Sequence, residues 1–132
     1  MKGNRIIVHA LIKVGDKFLI TKRSKEEDTY PEYWDLPGGL VENGELPKDG
    51  VIRETKEETN LDIVPNKIIR EDSFFDKEKD LIFIRLVYYA ELDNIDNIKL
   101  DLNEHSEYRL IKSIEELNGE NTFGFIEELI KE

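Results

Sequence analysis

The sequence predicts either an α+β fold or a mixed α/β/α sandwich. Strand-like segments lie on both sides of one helical segment, a second helical segment lies near the end of the chain, and the order is two strands, a helix, three strands and a helix. Hydrophobic residues make up 39% of the 132 residues, which is enough for a real core. We therefore expect one domain over residues 1–132.

The chain begins with a predicted β-hairpin. Residues 6–14 and 17–23 have strand-like patterns, and Gly15 and Asp16 between them suit a two-residue turn. Residues 24–35 then form a polar loop that ends in aromatic side chains.

The first helix is predicted over residues 47–59. Pro47 fits the first position of a helix, and Asn60 can adopt the left-handed conformation that often ends one. Most of the acidic pattern described below lies on this helix.

The second half of the chain is richer in strands. Ser113 and Thr122 are candidate N-caps, the first for a short turn ending at Leu117 and the second for a terminal helix ending at Ile130. Before them, strand patterns return in three segments: 67–75, 81–92 and 108–112.

Charge and composition exclude several classes of function. Thirty acidic and 19 basic residues give a net charge of −11, which argues against binding to duplex nucleic acid or to an anionic membrane. The absence of cysteine excludes thiol catalysis and cysteine zinc sites. No apolar run approaches the length of a membrane span, and the N-terminus lacks the pattern of a signal peptide. A cytoplasmic protein is expected.

Three glutamates form a stripe on the predicted helix. At about 100° per residue, Glu54, Glu57 and Glu58 share one narrow face beside the core-facing side. Such a stripe is either a solvated acidic surface or a set of oxygen ligands for a divalent cation. The Gly38-Gly39 pair upstream supplies backbone with little side-chain bulk.

This glycine loop and acidic helix together resemble the Nudix box, G-x5-E-x7-R-E-U-x-E-E-x-G-U, in which U is apolar. Residues 34–39 are also similar to the segment that precedes the box in this family. Thr55 replaces an apolar residue and Asn60 replaces a glycine, but neither change removes a carboxylate. Seven of the nine defined positions of the box, residues 39–61, match in register: Gly39, Glu45, Arg53, Glu54, Glu57, Glu58 and Leu61.

The resemblance implies a fold and a chemistry. The chain is similar to compact, MutT-like Nudix hydrolases, whose mixed sheet is flanked by the box helix and a C-terminal helix. Such proteins hydrolyse a nucleoside diphosphate linked to a further group, X. The implied metal ligands are Glu54, Glu57, Glu58 and the Gly38 carbonyl, and the implied cofactor is Mg²⁺, with Mn²⁺ as a substitute.

Further roles follow from the same resemblance. Arg53 and Glu45 form an ion pair that orients the glutamates, so they join Glu57 and Glu58 in the catalytic set. Glu104, on a later loop, is the candidate general base, although an ordinary surface glutamate is the alternative. Arg23, with the Gly38 and Gly39 backbone, is expected to contact substrate, and an exposed charge at a strand end is the alternative for Arg23.

Several aromatic and histidine side chains outside the box have two interpretations. Tyr30, Tyr33 and Trp34 either stack on a nucleobase or anchor their loop by packing. His105 either touches substrate or caps a strand, with the structural role favoured.

The expected substrate is a small nucleotide, with (deoxy)nucleoside triphosphates, including oxidised ones, ahead of the alternatives. They would be cleaved to the monophosphate and pyrophosphate. One alternative is an ADP-ribose or nucleotide-sugar pyrophosphatase, and another is a Nudix module that senses a nucleotide without cleaving it. The partners expected are this substrate and, as in many members of the family, a second copy of the chain in a homodimer.

Overall fold

Residues 2–130, which the computed structural model describes, fold around a seven-stranded mixed sheet. The strands are, in chain order, β1 (Asn4–Val14), β2 (Lys17–Arg23), β3 (Trp34–Asp35), β4 (Gly38–Leu40), β5 (Lys67–Asp76), β6 (Leu81–Leu92) and β7 (His105–Ile111). The helices are α1 (Pro47–Thr59), a short 3-10 helix (Ile114–Leu117) and α2 (Gly124–Leu129). None of the described helices has the length and apolar character needed to cross a bilayer.

The centre of the sheet is a parallel pair. Strands β1 and β6 run in the same direction in register from Asn4 opposite Ile82 to Val14 opposite Leu92. The other pairings are antiparallel, in the order β3-β2-β1-β6-β5, with β4 on β1 and β7 on β2. This topology brings β4, the end of β2 and the start of β7 to one side of the molecule.

The two faces of the sheet carry separate hydrophobic clusters. Alternate residues of β1 point to opposite faces, so Val8 packs with Val51 of α1, whereas Leu11 packs with Ile126 of α2. Each helix thus covers one face, and the predicted α/β/α sandwich with the first helix and a C-terminal helix on its two sides is confirmed.

The boundaries of α1 agree with the prediction. Pro47 occupies the first turn, and Asn60 ends the helix with φ of 63°, in the left-handed region. Its N–H donates to the Lys56 carbonyl, which satisfies one of the carbonyl groups left free at the helix end.

Several predicted boundaries differ from the structure, and three of the differences have a clear physical reason. Strand β7 begins at His105 and not at residue 108, because residues 105–107 continue the pairing with β2, as far as His105 opposite Arg23. Helix α2 is capped by Phe123 and not by Thr122, whose hydroxyl donates to the Trp34 carbonyl at 2.8 Å. The loop predicted over 24–35 ends early, because Trp34 and Asp35 pair with β2 as β3.

Candidate active site

A cleft of about 240 Å³ opens where α1, β4, the end of β2 and the start of β7 meet. It combines the glycine loop with two glutamates of the acidic stripe. Its lining consists of residues that lie far apart in the chain: Arg23, Asp35, Leu36, Gly38, Gly39, Glu54, Glu58, Glu104 and His105.

Arg53 joins the loop before α1 to the helix. Its guanidinium donates to Glu45 at 2.8 and 3.0 Å in a two-point contact, and to the Leu40 carbonyl at 3.1 Å. It also lies 3.2 Å from Glu54 and from Glu57. These carboxylates raise the pKa of Arg53 further, and the hydrogen bond from Arg53 lowers the pKa of Glu45 to about 2. The ion pair between Glu45 and Arg53 is therefore present, and both groups are charged at neutral pH.

The Glu54 carboxylate lies against the backbone of Gly39. A Cβ added to Gly39 would come within 2.6 Å of the Glu54 Cδ and Oε2 atoms, so a side chain at this position would displace the carboxylate. Burial, followed by the nearby Glu58 charge, raises the pKa of Glu54 to about 7. A carboxylate held in this way is stabilised in its charged form by a cation beside it.

Glu58 is the most deeply buried of the three glutamates, with 7% of its surface exposed. Its Oε1 atom accepts the Gly38 backbone N–H at 3.0 Å and lies 3.1 Å from His105 Nε2. These two contacts fix the carboxylate on the floor of the cleft. Gly38 itself has no room for a side chain, because an added Cβ would overlap the Val8 carbonyl oxygen.

His105 lines the cleft and contacts Glu58, a role that differs from the two predicted for it, which were touching substrate or capping a strand. Burial opposes its charged form, but the hydrogen bond to Glu58 and the nearby carboxylates of Asp35 and Glu104 outweigh burial, so the pKa of His105 is raised. The histidine orients Glu58 from across the cleft. The two residues are 47 positions apart, and no spacing rule joins them. The pairing of β7 with β2 and the hydrogen bond from the Asp101 N–H to the Glu58 carbonyl bring them together.

Arg23 faces the cleft but is already engaged. Its guanidinium donates to the Thr29 carbonyl at 2.9 and 3.1 Å and lies 3.5 Å from Asp35 and 3.6 Å from Glu27.

Glu104 lies on the exposed rim of the same cleft. The nearby carboxylate of Glu27, together with partial burial and the Glu58 charge, raises the pKa of Glu104 to about 7.

Glu57 lies apart from the cleft lining. Its side chain is 56% exposed and pairs with Arg53. Among residues 2–130, no group of three or more acidic or histidine side chains is close enough to enclose a metal ion as it stands. The residues nevertheless fit a hard divalent cation, because the half-buried Glu54 and the buried Glu58 supply carboxylate oxygens whose mutual repulsion a cation would relieve.

Comparison with known sequences decides the family. The sequence model of the NUDIX domain matches residues 3–130. The chain belongs to the Nudix family. The fold agrees: a structure of the MutT protein from Methanosarcina mazei Go1 is 31% identical, with a TM-score of 0.81, and the match covers 98% of this chain and 91% of that one. Nudix hydrolases generally use divalent metal ions such as Mg²⁺.

Curated relatives of this Nudix-family chain differ in how much of their length it spans. Nucleoside triphosphatase NudI from Escherichia coli O139:H28 is 26% identical over 116 residues, 82% of each chain. The m7GpppN-mRNA hydrolase NUDT17 of Xenopus laevis is 41% identical over 59 residues, 45% of this chain. The chain spans only about a fifth of the length of that relative, since the match covers 19% of it.

Proposed function

We propose that this Nudix protein hydrolyses a nucleoside diphosphate linked to a group X, with (deoxy)nucleoside triphosphates, including oxidised ones, as its substrates. Water adds at one phosphorus, the anhydride bond to the next phosphorus breaks, and the products are a nucleoside monophosphate and pyrophosphate. The nucleoside triphosphatase NudI, which matches along 82% of both chains, supports this choice of substrate.

One observation carries the proposal. Two glutamates, Glu54 and Glu58, share a cleft with the arginine Arg23, in a protein whose net charge is −11. A cleft with this charge repels a triphosphate unless cations intervene. Carboxylates that hold divalent metal ions, together with an arginine for phosphate oxygens, reconcile an acidic cleft with an acidic substrate.

Glu54, Glu57 and Glu58 are the proposed ligands of Mg²⁺, for which Mn²⁺ can substitute, with the Gly38 carbonyl as an additional ligand. When bound, the metal supplies charge neutralisation at the phosphates and acidifies water. Glu58 is held for this role by the Gly38 N–H and by His105. Gly39 leaves the space in which the Glu54 carboxylate lies.

Arg53 and Glu45 act on the site indirectly. Their two-point contact ties the segment before α1 to the helix, and Arg53 reaches Glu54 and Glu57 from the same position. The pair therefore sets where two of the proposed ligands lie.

Glu104 is the proposed general base. It lies on the rim of the cleft, where it can accept a proton from water, and a pKa of about 7 suits proton transfer near neutral pH. Arg23 is proposed to bind phosphate oxygens together with the Gly38 and Gly39 backbone.

Product identification tests the proposal. The protein is incubated with Mg²⁺ and single members of a panel: nucleoside triphosphates, 8-oxo-dGTP, ADP-ribose, dinucleoside polyphosphates and nucleotide sugars. Release of a nucleoside monophosphate and pyrophosphate from a triphosphate is expected. Faster cleavage of ADP-ribose or of a nucleotide sugar would replace the substrate assignment, and Mg²⁺-dependent binding without turnover would identify a nucleotide sensor.

A further inference from the structure

The loop between β2 and β3 presents an aromatic ring that the proposed reaction does not use. Tyr30, Tyr33 and Phe123 form a three-ring cluster in which each pair of ring centroids is 5.1 Å apart. Tyr33 and Phe123 are half-buried, whereas Tyr30 is 56% exposed. The Tyr30 ring therefore has aromatic support on one side and solvent on another.

The backbone of this loop is held in an unfavourable conformation. Tyr30 and Glu32 have φ of 48° and 64°, in the left-handed region that residues other than glycine rarely adopt. Such residues persist only where their surroundings hold them. Here the Arg23 guanidinium binds the Thr29 carbonyl, and the Arg23 backbone exchanges hydrogen bonds with Tyr33 and Glu32. The loop is thus fixed in the conformation that exposes Tyr30.

Arg23 connects this loop to the cleft. The Arg23 guanidinium lines the cleft and also binds the Thr29 carbonyl. Tyr30 directly follows Thr29 in the chain. Neighbouring Cα atoms are about 3.8 Å apart. In a nucleoside 5′-polyphosphate only the ribose separates the base from the phosphates. A substrate with its phosphates beside Arg23 therefore has its base within reach of Tyr30.

We propose that Tyr30 stacks on the nucleobase of the substrate, so that the cleft selects nucleoside 5′-polyphosphates over polyphosphates that carry no base. This inference rests on the proposed function. Every base offers a π face, and an aromatic ring with support behind it binds that face with little dependence on base identity. Trp34, the other aromatic at the end of this loop, is completely buried, so it cannot take this role.

The inference is tested with three variants, Tyr30→Phe, Tyr30→Leu and Tyr30→Ala. Leucine keeps apolar bulk without a π face. We expect Tyr30→Leu and Tyr30→Ala to raise the Kd of a non-hydrolysable nucleoside triphosphate analogue by about 5- to 100-fold. The KM for the hydrolysed nucleotide should rise by a similar factor. Tyr30→Phe should stay within about twofold of the wild type. The inhibition constant of inorganic tripolyphosphate, which has no base, should be the same in all four proteins.

Phe75→Ala is the matched control. Phe75 is also an exposed aromatic, 54% exposed, but it lies on β5 at the other edge of the sheet from β3. Phe75→Ala should leave both the Kd of the analogue and the KM for the nucleotide unchanged. Thermal unfolding of each variant checks that the fold is intact.

Three results would overturn the inference: wild-type nucleotide affinity in Tyr30→Leu, equal weakening of nucleotide and tripolyphosphate, or no binding of the analogue to the wild type. Failure of the proposed function is distinguishable, because it would appear as absent turnover in the wild type while the binding comparison still reports on stacking.

Discussion

Gly39 and Glu54 lie so close together that a side chain at residue 39 would displace the Glu54 carboxylate. The gap between an added Cβ and the Glu54 carboxylate would be 2.6 Å. Gly39 is therefore a steric requirement of the site, because it allows a charged group of the helix to reach the backbone of β4. The contact of Arg53 with Glu45 holds the same helix to the segment that precedes it.

Gly39→Ala should displace the Glu54 carboxylate and lower kcat/KM by at least about tenfold, since small displacements of catalytic groups have large effects on rate. The concentration of Mg²⁺ that gives half-maximal activity should rise as well. Both are measured by steady-state kinetics over a Mg²⁺ series.

Gly124→Ala is the control for this substitution. An added Cβ at Gly124, the first residue of α2, meets nothing within 4 Å, so activity should stay within about twofold of the wild type. Wild-type kinetics in Gly39→Ala would show that the position of Glu54 does not matter.

Glu57→Gln should remove most of the activity without unfolding the protein. The side chain is 56% exposed, so the loss of its contact with Arg53 has little effect on stability, but one of three proposed metal carboxylates is neutralised. Turnover at saturating Mg²⁺ and a thermal melt measure the two effects.

Glu71→Gln, an exposed glutamate on β5, serves as the control and should behave as the wild type. Near-wild-type turnover of Glu57→Gln would exclude this residue as a metal ligand. The test matters for Glu57 in particular, because its side chain does not line the cleft.

Glu104→Gln should lower kcat by about 100-fold or more, with little change in KM, if Glu104 accepts a proton from water. Glu107→Gln tests the specificity of that effect, since Glu107 is an exposed glutamate on β7 that pairs with Arg109 at 3.5 Å. An unchanged pH–rate profile in Glu104→Gln would remove it as the base.

The lowered pKa of Glu45 should make the stability of the protein depend on pH. The hydrogen bond from Arg53 lowers the pKa of Glu45 from its ordinary 4.5 to about 2 in the folded chain. The unfolded chain therefore binds more protons in this range, so the contribution of Glu45 to stability is full above about pH 4.5 and is lost as the pH falls towards 2. In Glu45→Gln the free energy of unfolding should vary less over that window.

Denaturant titrations across that pH range measure the effect. Glu71→Gln, which also loses one carboxylate, should keep the wild-type slope. A Glu45→Gln variant with an undiminished slope would mean that the contact with Arg53 does not depress the Glu45 pKa.

Local pattern predicted the fold well where neighbouring residues decide it. Alternation found the long strands, and Pro47 and Asn60 marked the ends of α1. Where distant pairing decides, the prediction was wrong. The start of β7 depends on His105 pairing with Arg23, and β3 exists because Trp34 and Asp35 pair with β2.

The site shows the same division. The spacing of the box placed Glu45, Arg53, Glu54 and Glu58 near one another, since helix geometry and one short loop join them. It gave no indication of His105, which reaches Glu58 through the tertiary fold. The homodimer and the cytoplasmic location stay predictions.

The most direct test of the account is pyrophosphate release from a nucleoside triphosphate, measured over a Mg²⁺ series for the wild type and Glu58→Gln side by side. The variant keeps the side-chain size and an oxygen for the Gly38 N–H, so its fold should be intact. We predict Mg²⁺-dependent release by the wild type and almost none by the variant. Equal release by both proteins, or release without added divalent metal, would contradict the account.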